Sequence, residues 1–578
     1  MINLEIAAAF SEIAELLEFK GENPFKIRAY RRAAHLMETL STDVVSLVEA
    51  GEVSQLEGIG SALAAKITEY VHTGRMQALD ELRREVPSSL TELTRVSGIG
   101  PKLASRLFKE LGIRDLAGLE EALAQQRLRG LKGLGPKTEA NIATGLKEMA
   151  GHRERRPLPE ALSMANELLS GLRSLSVVHR AEAAGSIRRR RETVGDVDIV
   201  VATDDHGSVR HYLTHLTLVE RVLAGGDTKV SVMLHGGLQV DVRMVPPAAF
   251  VSALHHFTGS QAHNVALRSL ALEQGLSISE YGILCQETKK RYEPPSEEEF
   301  YALLGLPYIP PELREDAGEI QAASEGRLPS LVSRGDIMGD LHVHSDWSDG
   351  VATLEEIARS AAERGLRYVA VCDHSQSLGI AGGLTPEQLD ARDAEIAAIN
   401  ERGIGAKLLA GVEVDILSDG SLDLPDEVLR RRTVVIASIH SGLRQERAQL
   451  MRRLKAAMEN PYVHIIGHPT GRLLGRRGPS DIDLDELIRI AAATRTALEI
   501  NSSPDRLDLG AEQARKAAAA GVLIAVNTDA HDMSELDYIE YGLGVARRAW
   551  LEPDCLLNTR SLDDLLRQLV EKSDGGRG

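Results

Sequence analysis

From residue 338 onward, short apolar, β-rich runs alternate with amphipathic helical segments. The runs lie at 338–343, 367–372, 407–414, 433–439, 463–467, 496–500 and 522–528. Seven strand–helix repeats predict a parallel barrel or a doubly wound sheet. Every run ends in polar residues. The first ends in His342 and His344, with Asp349 beyond. The later ones end in Asp373 and His374, Glu413, His440, His468, Asn501, and finally Asp529 and His531. In a parallel barrel the C-terminal ends of the strands converge on one mouth. His342 and His344 are two apart on a strand and share a face. Six histidines, two or three aspartates and a glutamate in one mouth predict a metal centre of two or three ions. A histidine-rich donor set favours Zn²⁺ or Mn²⁺ over Mg²⁺.

The runs "DLHVHSDWSDG", "CDHS", "GVEVDI", "SIH", "GHP" and "NTDAH" together resemble the PHP (polymerase and histidinol phosphatase) metallohydrolases. The resemblance covers about 338–560. It implies a distorted (βα)7 barrel with metal ligands at His342, His344, Asp349, His374, Glu413, His440, His468, Asp529 and His531.

A second carboxylate cluster lies upstream, in "AGSIRRRRETVGDVDIV". On a strand, Asp196 and Asp198 point one way while Val197, Ile199 and Val201 point the other. Asp241, in "LQVDVRMVP", sits on a second strand. Three carboxylates on neighbouring strands are costly unless cations neutralise them. Two Mg²⁺ or Mn²⁺ ions would do so and would serve phosphoryl transfer. The preceding Gly-Ser turn and arginine run suit a triphosphate.

Residues 1–150 read as helices joined by three similar turns, "LEGIGSALAAKI" (56–67), "VSGIGPKLASRL" (96–107) and "LKGLGPKTEANI" (131–142). Paired glycines, Gly58 and Gly60, Gly98 and Gly100, Gly133 and Gly135, allow a tight turn and close backbone approach. The helix that follows offers free N–H groups to phosphate. This is the helix-hairpin-helix pattern of DNA binding without sequence preference.

Together with "GGDTKVSVML", "HFTGSQAHNVALRSLALEQGLSISEYGI" and "EEEFYALLGLPYIPPELRE", these segments resemble a family X DNA polymerase over residues 1 to about 315. A polymerase followed by a PHP domain is the bacterial and archaeal arrangement. The resemblance implies an α+β nucleotidyltransferase palm in which Asp196, Asp198 and Asp241 hold metal. Asp241 is also the expected base for the primer hydroxyl. It implies Ser186, Arg189 and Gly195 on the triphosphate, and Phe257, Gly259 and Asn264 at the sugar and base. Carbonyls of Thr94, Val96 and Ile99, and of Leu56 and Ile59, would surround K⁺ or Na⁺ ions bridging to DNA phosphates. Lys26 and Tyr30 match positions that grip a 5′-phosphate, and Lys66 matches a Schiff-base lysine for lyase chemistry. Three departures stand out from the repair polymerases of animals. His256-Phe257 replaces Tyr-Phe at the sugar gate, Gln261 replaces an aspartate against the base, and Ala62 replaces a phosphate-gripping lysine.

The chain of 578 residues is too long for one core. The expected division is a helical domain 1–85, a second helix-hairpin-helix subdomain 86–150, a palm 151–249 and a nucleotide-selection subdomain 250–315. A linker 316–337 and a PHP domain 338–578 follow. No apolar run approaches the ~20 residues of a membrane span, and the acidic N-terminal helix has no basic n-region. Three scattered cysteines suit a reducing cytoplasm. The net charge of −18 argues, taken alone, against nucleic acid; an average over domains can still conceal a basic groove. The expectation is a cytoplasmic, monomeric repair enzyme acting on gapped or nicked duplex DNA with deoxynucleoside triphosphates. Its rear site would be a 3′→5′ exonuclease, abasic-site endonuclease or 3′-phosphoesterase. The alternatives are a phosphatase of small esters with a DNA-tethering front half, and a non-catalytic end-bridging factor.

Overall fold

The computed structural model describes residues 2–20, 22–39, 44–56, 59–85, 93, 96, 99, 101–131, 134–135, 138–139, 142–143, 146 and 155–575. Two compact units are present, divided near residue 153.

In the first unit, helices Ile2–Lys20, Pro24–Thr39, Ser61–Thr73 and Pro101–Leu111 enclose a core that includes Phe10, Tyr30, Met37, Ile67 and Leu107. The three glycine turns share one backbone pattern. The amides of Leu56 and Ile59 donate to the carbonyls three residues back, on Val53 and Leu56. Those of Val96 and Ile99 donate to Leu93 and Val96, and those of Leu131 and Leu134 to Leu128 and Leu131. Each apolar residue of Gly-x-Gly (Ile59, Ile99, Leu134) is buried, whereas Gly60 and Gly135 are exposed. The side chain anchors the turn and leaves the glycine backbone outward.

In the second unit, a five-stranded sheet is formed by β1 (Val178–Ala183), β2 (Asp196–Thr203), β3 (Val219–Gly225), β4 (Lys229–Leu234) and β5 (Gln239–Val245), in the order β1-β2-β5-β4-β3. Only β2 and β5 run parallel. Val197, Ile199, Val201, Val240 and Val242 enter one core with helix Leu158–Arg173. Helices Phe250–Thr258 and Gln261–Glu273, a three-stranded antiparallel sheet over 276–292 and helix Glu297–Ala302 follow.

Residues 316–337, expected as a linker, are folded against both neighbours. Glu319 is buried 2.5 Å from His263 Nδ1, and the Val332 amide donates to the Leu551 carbonyl. Ala323 joins the core behind helix Gln261–Glu273 while Val332 and Ile337 join the core of the barrel region, so the apolar contacts of the stretch are split between two neighbours and leave no hydrophobic period.

The C-terminal region forms seven parallel strands in sequence order: β6 (Gly339–Val343), β7 (Tyr368–Val371), β8 (Lys407–Asp415), β9 (Val434–Ser438), β10 (Ile465–Ile466), β11 (Ala497–Asn501) and β12 (Ile524–Asn527). A parallel bridge from Val343 to Ala530 nearly closes the sheet into a barrel, and decides between the two predicted architectures. Capping boxes at Thr353/Glu356 and Thr385/Gln388 start two of the outer helices.

Two candidate metal centres

Asp198 and Asp241 are register partners in the parallel β2–β5 pair, with Asp196 opposite Gln239 one pleat away. The pleat that buries Val197 and Ile199 therefore leaves Asp196 and Asp198 on the open face beside Asp241. Burial, and then the neighbouring Asp196 and Asp241 carboxylates, push the Asp198 carboxyl up to about 7. Asp241 moves the other way. Against burial, hydrogen bonds from Lys229, Ser231 and Gln239 hold it low; Lys229 Nζ lies 2.6 Å from its carboxylate. Three crowded acids with one lysine among them fit divalent cations. Lys229 was not anticipated, because its approach depends on the β4–β5 register.

Gly185 makes the turn that the sequence offers to a triphosphate. Its φ of +56° suits glycine, and the preceding Ala184 amide donates to the Asp198 carbonyl at 2.8 Å. Ser186 lies in the short helix Gly185–Arg188 that follows. Arg189 donates to Glu315 Oε1 at 2.9 Å and to the Thr258 carbonyl at 2.7 Å. Gly195 immediately precedes β2, facing Arg155. Asn264 donates to the His256 and Gly259 carbonyls, tying the helix junction together. The Phe257 ring lies under the Arg243 guanidinium, 4.9 Å from its centroid.

The barrel mouth gathers its predicted ligands around Glu413. His468 Nε2 and His440 Nε2 lie 3.1 and 3.4 Å from Glu413 Oε1; His374 Nδ1 lies 2.8 Å and His342 Nε2 3.5 Å from Oε2. His342 and His344 share Asp529 Oδ1 at 3.5 and 3.1 Å, while His374 and His531 flank Asp349. Three sets of donor atoms fall within 4.8 Å of one another: His344, Asp349, His374 and His531; His342, His344 and Asp529; and His374, Glu413 and His440. His468 stands beside Glu413 outside these sets. His342 Nε2, His344 Nδ1, His374 Nδ1 and Glu413 Oε2 are buried and make no well-formed hydrogen bond among the described residues; His374 Nδ1 and Glu413 Oε2 are close, but not in hydrogen-bond geometry. Orphaned donors of this kind are the expected mark of metal ligands. Against burial, which favours neutral rings, Glu413 draws His440 up to about 10 and His374 up to about 9. The cluster thus demands positive charge.

A supporting shell aims these ligands. Glu499 accepts from the His342 Nδ1 side at 2.8 Å and from the His468 amide at 2.7 Å, and Asp415 lies 2.8 Å from His440 Nδ1. Asn501 donates to Asp529 Oδ2 at 2.9 Å, and Arg506 Nε approaches the same oxygen at 3.7 Å. Asp529 itself has φ +56°, a strained backbone held in place by this network. Glu499 and Asp415 were missed, although each lies two residues from a predicted mouth residue on the same strand face.

The first unit treats its predicted contacts differently. Lys26 is exposed beside Glu22, and Lys66 Nζ donates to the Ala62 carbonyl at 3.3 Å. Tyr30, expected at a 5′-phosphate, is buried edge-on against Phe10, 5.7 Å between centroids. The structure gives it a packing role, since its ring completes the core. Gly58, Thr94, Gly98, Gly100 and Gly133 lie outside the described residues.

Known proteins match these parts in the same order. Residues 1–76 match the helix-hairpin-helix domain, 90–148 the SAM-like helix-hairpin-helix tandem, 253–315 the DNA polymerase beta thumb and 340–503 the PHP domain. The DNA polymerase/3′-5′ exonuclease PolX of Bacillus subtilis (strain 168) is 44% identical over 97% of this chain and 98% of its own. The chain belongs to the family X DNA polymerases that carry a PHP domain. The family X relationship extends to DNA polymerase lambda of Rattus norvegicus, 26% identical over 54% of this chain and 56% of that protein. The polymerase is also similar to a probable phosphatase of Thermoanaerobacter sp. (strain X514), 32% identical over 38% of the chain and 89% of the phosphatase. Among the described residues of the polymerase, no helix is long and apolar enough to cross a membrane.

Proposed function

We propose that this protein is a cytoplasmic repair enzyme that fills short gaps in duplex DNA at the Asp196–Asp198–Asp241 centre and removes nucleotides from 3′ ends at the barrel mouth. The observation that carries the reading is the presence of two separate carboxylate or histidine centres, each with buried groups that need cations, in a chain 44% identical to PolX. Mg²⁺ or Mn²⁺ would be held by Asp196, Asp198 and Asp241. Two or three Zn²⁺ or Mn²⁺ ions would be held by His342, His344, Asp349, His374, Glu413, His440, His468, Asp529 and His531. When bound, such ions supply charge neutralisation and water activation.

The chain's own residues do the rest. Asp241 accepts the proton of the primer 3′-hydroxyl. Ser186 and Arg189, beside Gly195, hold the triphosphate. Phe257, Gly259 and Asn264 shape the sugar and base pocket. In the barrel, Glu499 and Asp415 orient His342 and His440, and Arg506 with Asn501 holds the scissile phosphate beside Asp529. The Gly-x-Gly turns contact DNA phosphates through backbone groups. K⁺ or Na⁺ would sit at the carbonyls of Leu56 and Ile59 and of Thr94, Val96 and Ile99. Lys26 meets a 5′-phosphate, and Lys66 is the candidate lyase nucleophile.

The test is purified protein on a one-nucleotide gapped duplex with deoxynucleoside triphosphates, on labelled single-stranded and abasic DNA, and on histidinol phosphate. Gap filling, with degradation from 3′ ends in Mn²⁺, is expected. Cleavage of histidinol phosphate alone would instead favour a small-ester phosphatase.

A further inference from the structure

The segment that joins the arginine run to β2 reaches into the barrel domain at one carboxylate. Glu192 lies three residues after Arg189 and four before Asp196. Its backbone is fixed in the palm, where the Leu158 amide donates to its carbonyl at 3.0 Å. Its side chain leaves the palm and meets Arg472, with Nη2 at 3.2 Å from Oε1. Both side chains are mostly shielded from water, at 18% and 23% exposure, so this pair is not a screened surface contact.

Arg472 has other duties on the barrel side. Its Nε donates to the Arg506 carbonyl at 2.9 Å, and its Nη2 to the Leu507 carbonyl. The loop it grips is the one that carries Arg506 to within 3.7 Å of Asp529. That loop does not hold this shape by backbone preference, since Leu507 sits at φ +45°. Arg472 thus clamps both sides of the strained residue. The same loop is laced to the turn after β10 that bears His468: the Thr470 amide and hydroxyl both donate to Asp508. The contact between domains is close elsewhere too. A Cβ placed on Gly544, in the barrel helix Ile539–Arg548, would stand 3.1 Å from Arg190 Cβ.

We propose that Arg472 is a positioning residue of the barrel reaction and that Glu192, a residue of the polymerase half, fixes it. The guanidinium spends two donors on the loop that aims Arg506, and the carboxylate sets the plane in which it does so. The phosphoesterase centre is therefore fully assembled only when the polymerase half holds the segment 189–196 in place. This rests on the reading that the barrel cleaves phosphodiesters with Arg506 on the phosphate.

The experiment uses the full chain and 3′-labelled single-stranded DNA with Mn²⁺, and measures kcat and KM for nucleotide removal. Gap filling and thermal unfolding are followed alongside. The variants are Glu192→Gln, Arg472→Gln, Arg472→Lys, Arg506→Ala and the double variant Arg472→Gln/Arg506→Ala. Glu192→Gln and Arg472→Gln are each expected to lower kcat/KM about tenfold, within the range by which a small misplacement of a binding group slows a reaction. Arg472→Lys keeps the charge but not the planar fork, and should fall between wild type and Arg472→Gln. The double variant should be no worse than Arg506→Ala alone, because both changes remove the same aimed contact. Gap filling by Arg506→Ala should match wild type. Exonuclease activity of Glu192→Gln within twofold of wild type overturns the proposal, as does a double variant whose losses multiply. Glu192→Gln is close to isosteric and keeps the test decisive if Arg472→Gln does not fold. Absence of DNA cleavage by the wild type would strike the phosphodiester reading itself, a result distinct from either.

Discussion

Gly185→Ala should disable polymerisation although Gly185 has no side chain of its own to contact substrate. Gly185 has φ +56°, where an L-residue with a Cβ loses about 1–2 kcal/mol. The space is also taken. A Cβ there would fall onto Asp198 Oδ2, with Asp198 Cγ at 3.2 Å and Cβ at 3.3 Å. Asp198 cannot retreat along its strand, which is paired with β1 on one side and β5 on the other. Either the carboxylate rotates away from Asp241 or the Gly-Ser turn moves, and each outcome separates the metal ligands from the triphosphate loop. A displacement on the order of 1 Å costs about 10²-fold in rate, or about 2.7 kcal/mol of transition-state stabilisation. The loss of stability should stay near the backbone cost, and shift the unfolding midpoint by only a few degrees. The assay is single-nucleotide gap filling at saturating DNA, with barrel nuclease activity measured on the same preparation as a control for folding. Gap filling within threefold of wild type, in a protein whose nuclease is intact, would refute the reasoning, because the geometry leaves no room for that methyl group beside a working Asp198.

Further outcomes follow from the same geometry. Asp196→Ala or Asp198→Ala should lower gap filling at least about 10²-fold while 3′-end degradation survives, as losses of preorganised charge stabilisation do; steady-state kinetics on both substrates measures this. His440→Ala or Asp529→Ala should do the reverse, and should also release metal measurable by elemental analysis after dialysis. Glu297→Gln should destabilise the fold by about 3–5 kcal/mol, because the fully buried Arg314, 2.6 Å from Glu297, would lose its counter-charge. Arg314 and Arg188 hold the Glu297 carboxyl, against burial, down at about 2. Its depressed value makes its contribution to stability present above the ordinary carboxylate range near 4.3 and lost as pH falls towards 2. Thermal unfolding of wild type should therefore show a steeper decline between pH ~4 and 2 than Glu297→Gln. DNA affinity should fall steeply with salt and vary little with sequence. Filter binding with residues 1–150 deleted should lose most of that affinity.

What the sequence disclosed depended on how local the signal was. The barrel was legible because its ligands repeat with the strand rhythm, and each stands where an apolar run stops. The strands at 407–415 and 497–501 carried a second signal that went unused. Glu413 with Asp415, and Glu499 with Asn501, are pairs two apart on one face, the same reading that made Asp196 and Asp198 stand out. Contacts that join distant segments were not legible. Arg188 and Arg314 reach Glu297 across 109 and 17 residues, and Arg472 reaches Glu192 across 280. A charged residue in a sequence does not announce which partner neutralises it. Tyr30 was read for its hydroxyl alone, whereas an aromatic residue on an amphipathic helix also packs, and here its ring lies in the core.

The acidic total also misleads unless it is divided. Residues 1–200 contain 28 acidic and 28 basic side chains, so the whole excess of −18 lies beyond residue 200, where 57 acidic residues face 39 basic ones. Within 101–200 the balance is reversed, with 18 basic and 13 acidic residues. Part of the later acidity does not face solvent. Asp340, Asp373, Glu413, Asp415, Glu499 and Asp508 are buried in the barrel, where histidines, hydroxyls, Arg392 and Arg472 surround them. Such groups contribute to the formal charge and to metal affinity, but little to the field that an approaching duplex meets across more than a Debye length of salt solution. On the proposed reading, backbone amides at the glycine turns would add attraction for phosphate that no count of lysines and arginines records. A strongly negative chain can therefore still offer a duplex a front third of balanced charge, because the acidic excess lies beyond residue 200 and part of it is buried in the barrel.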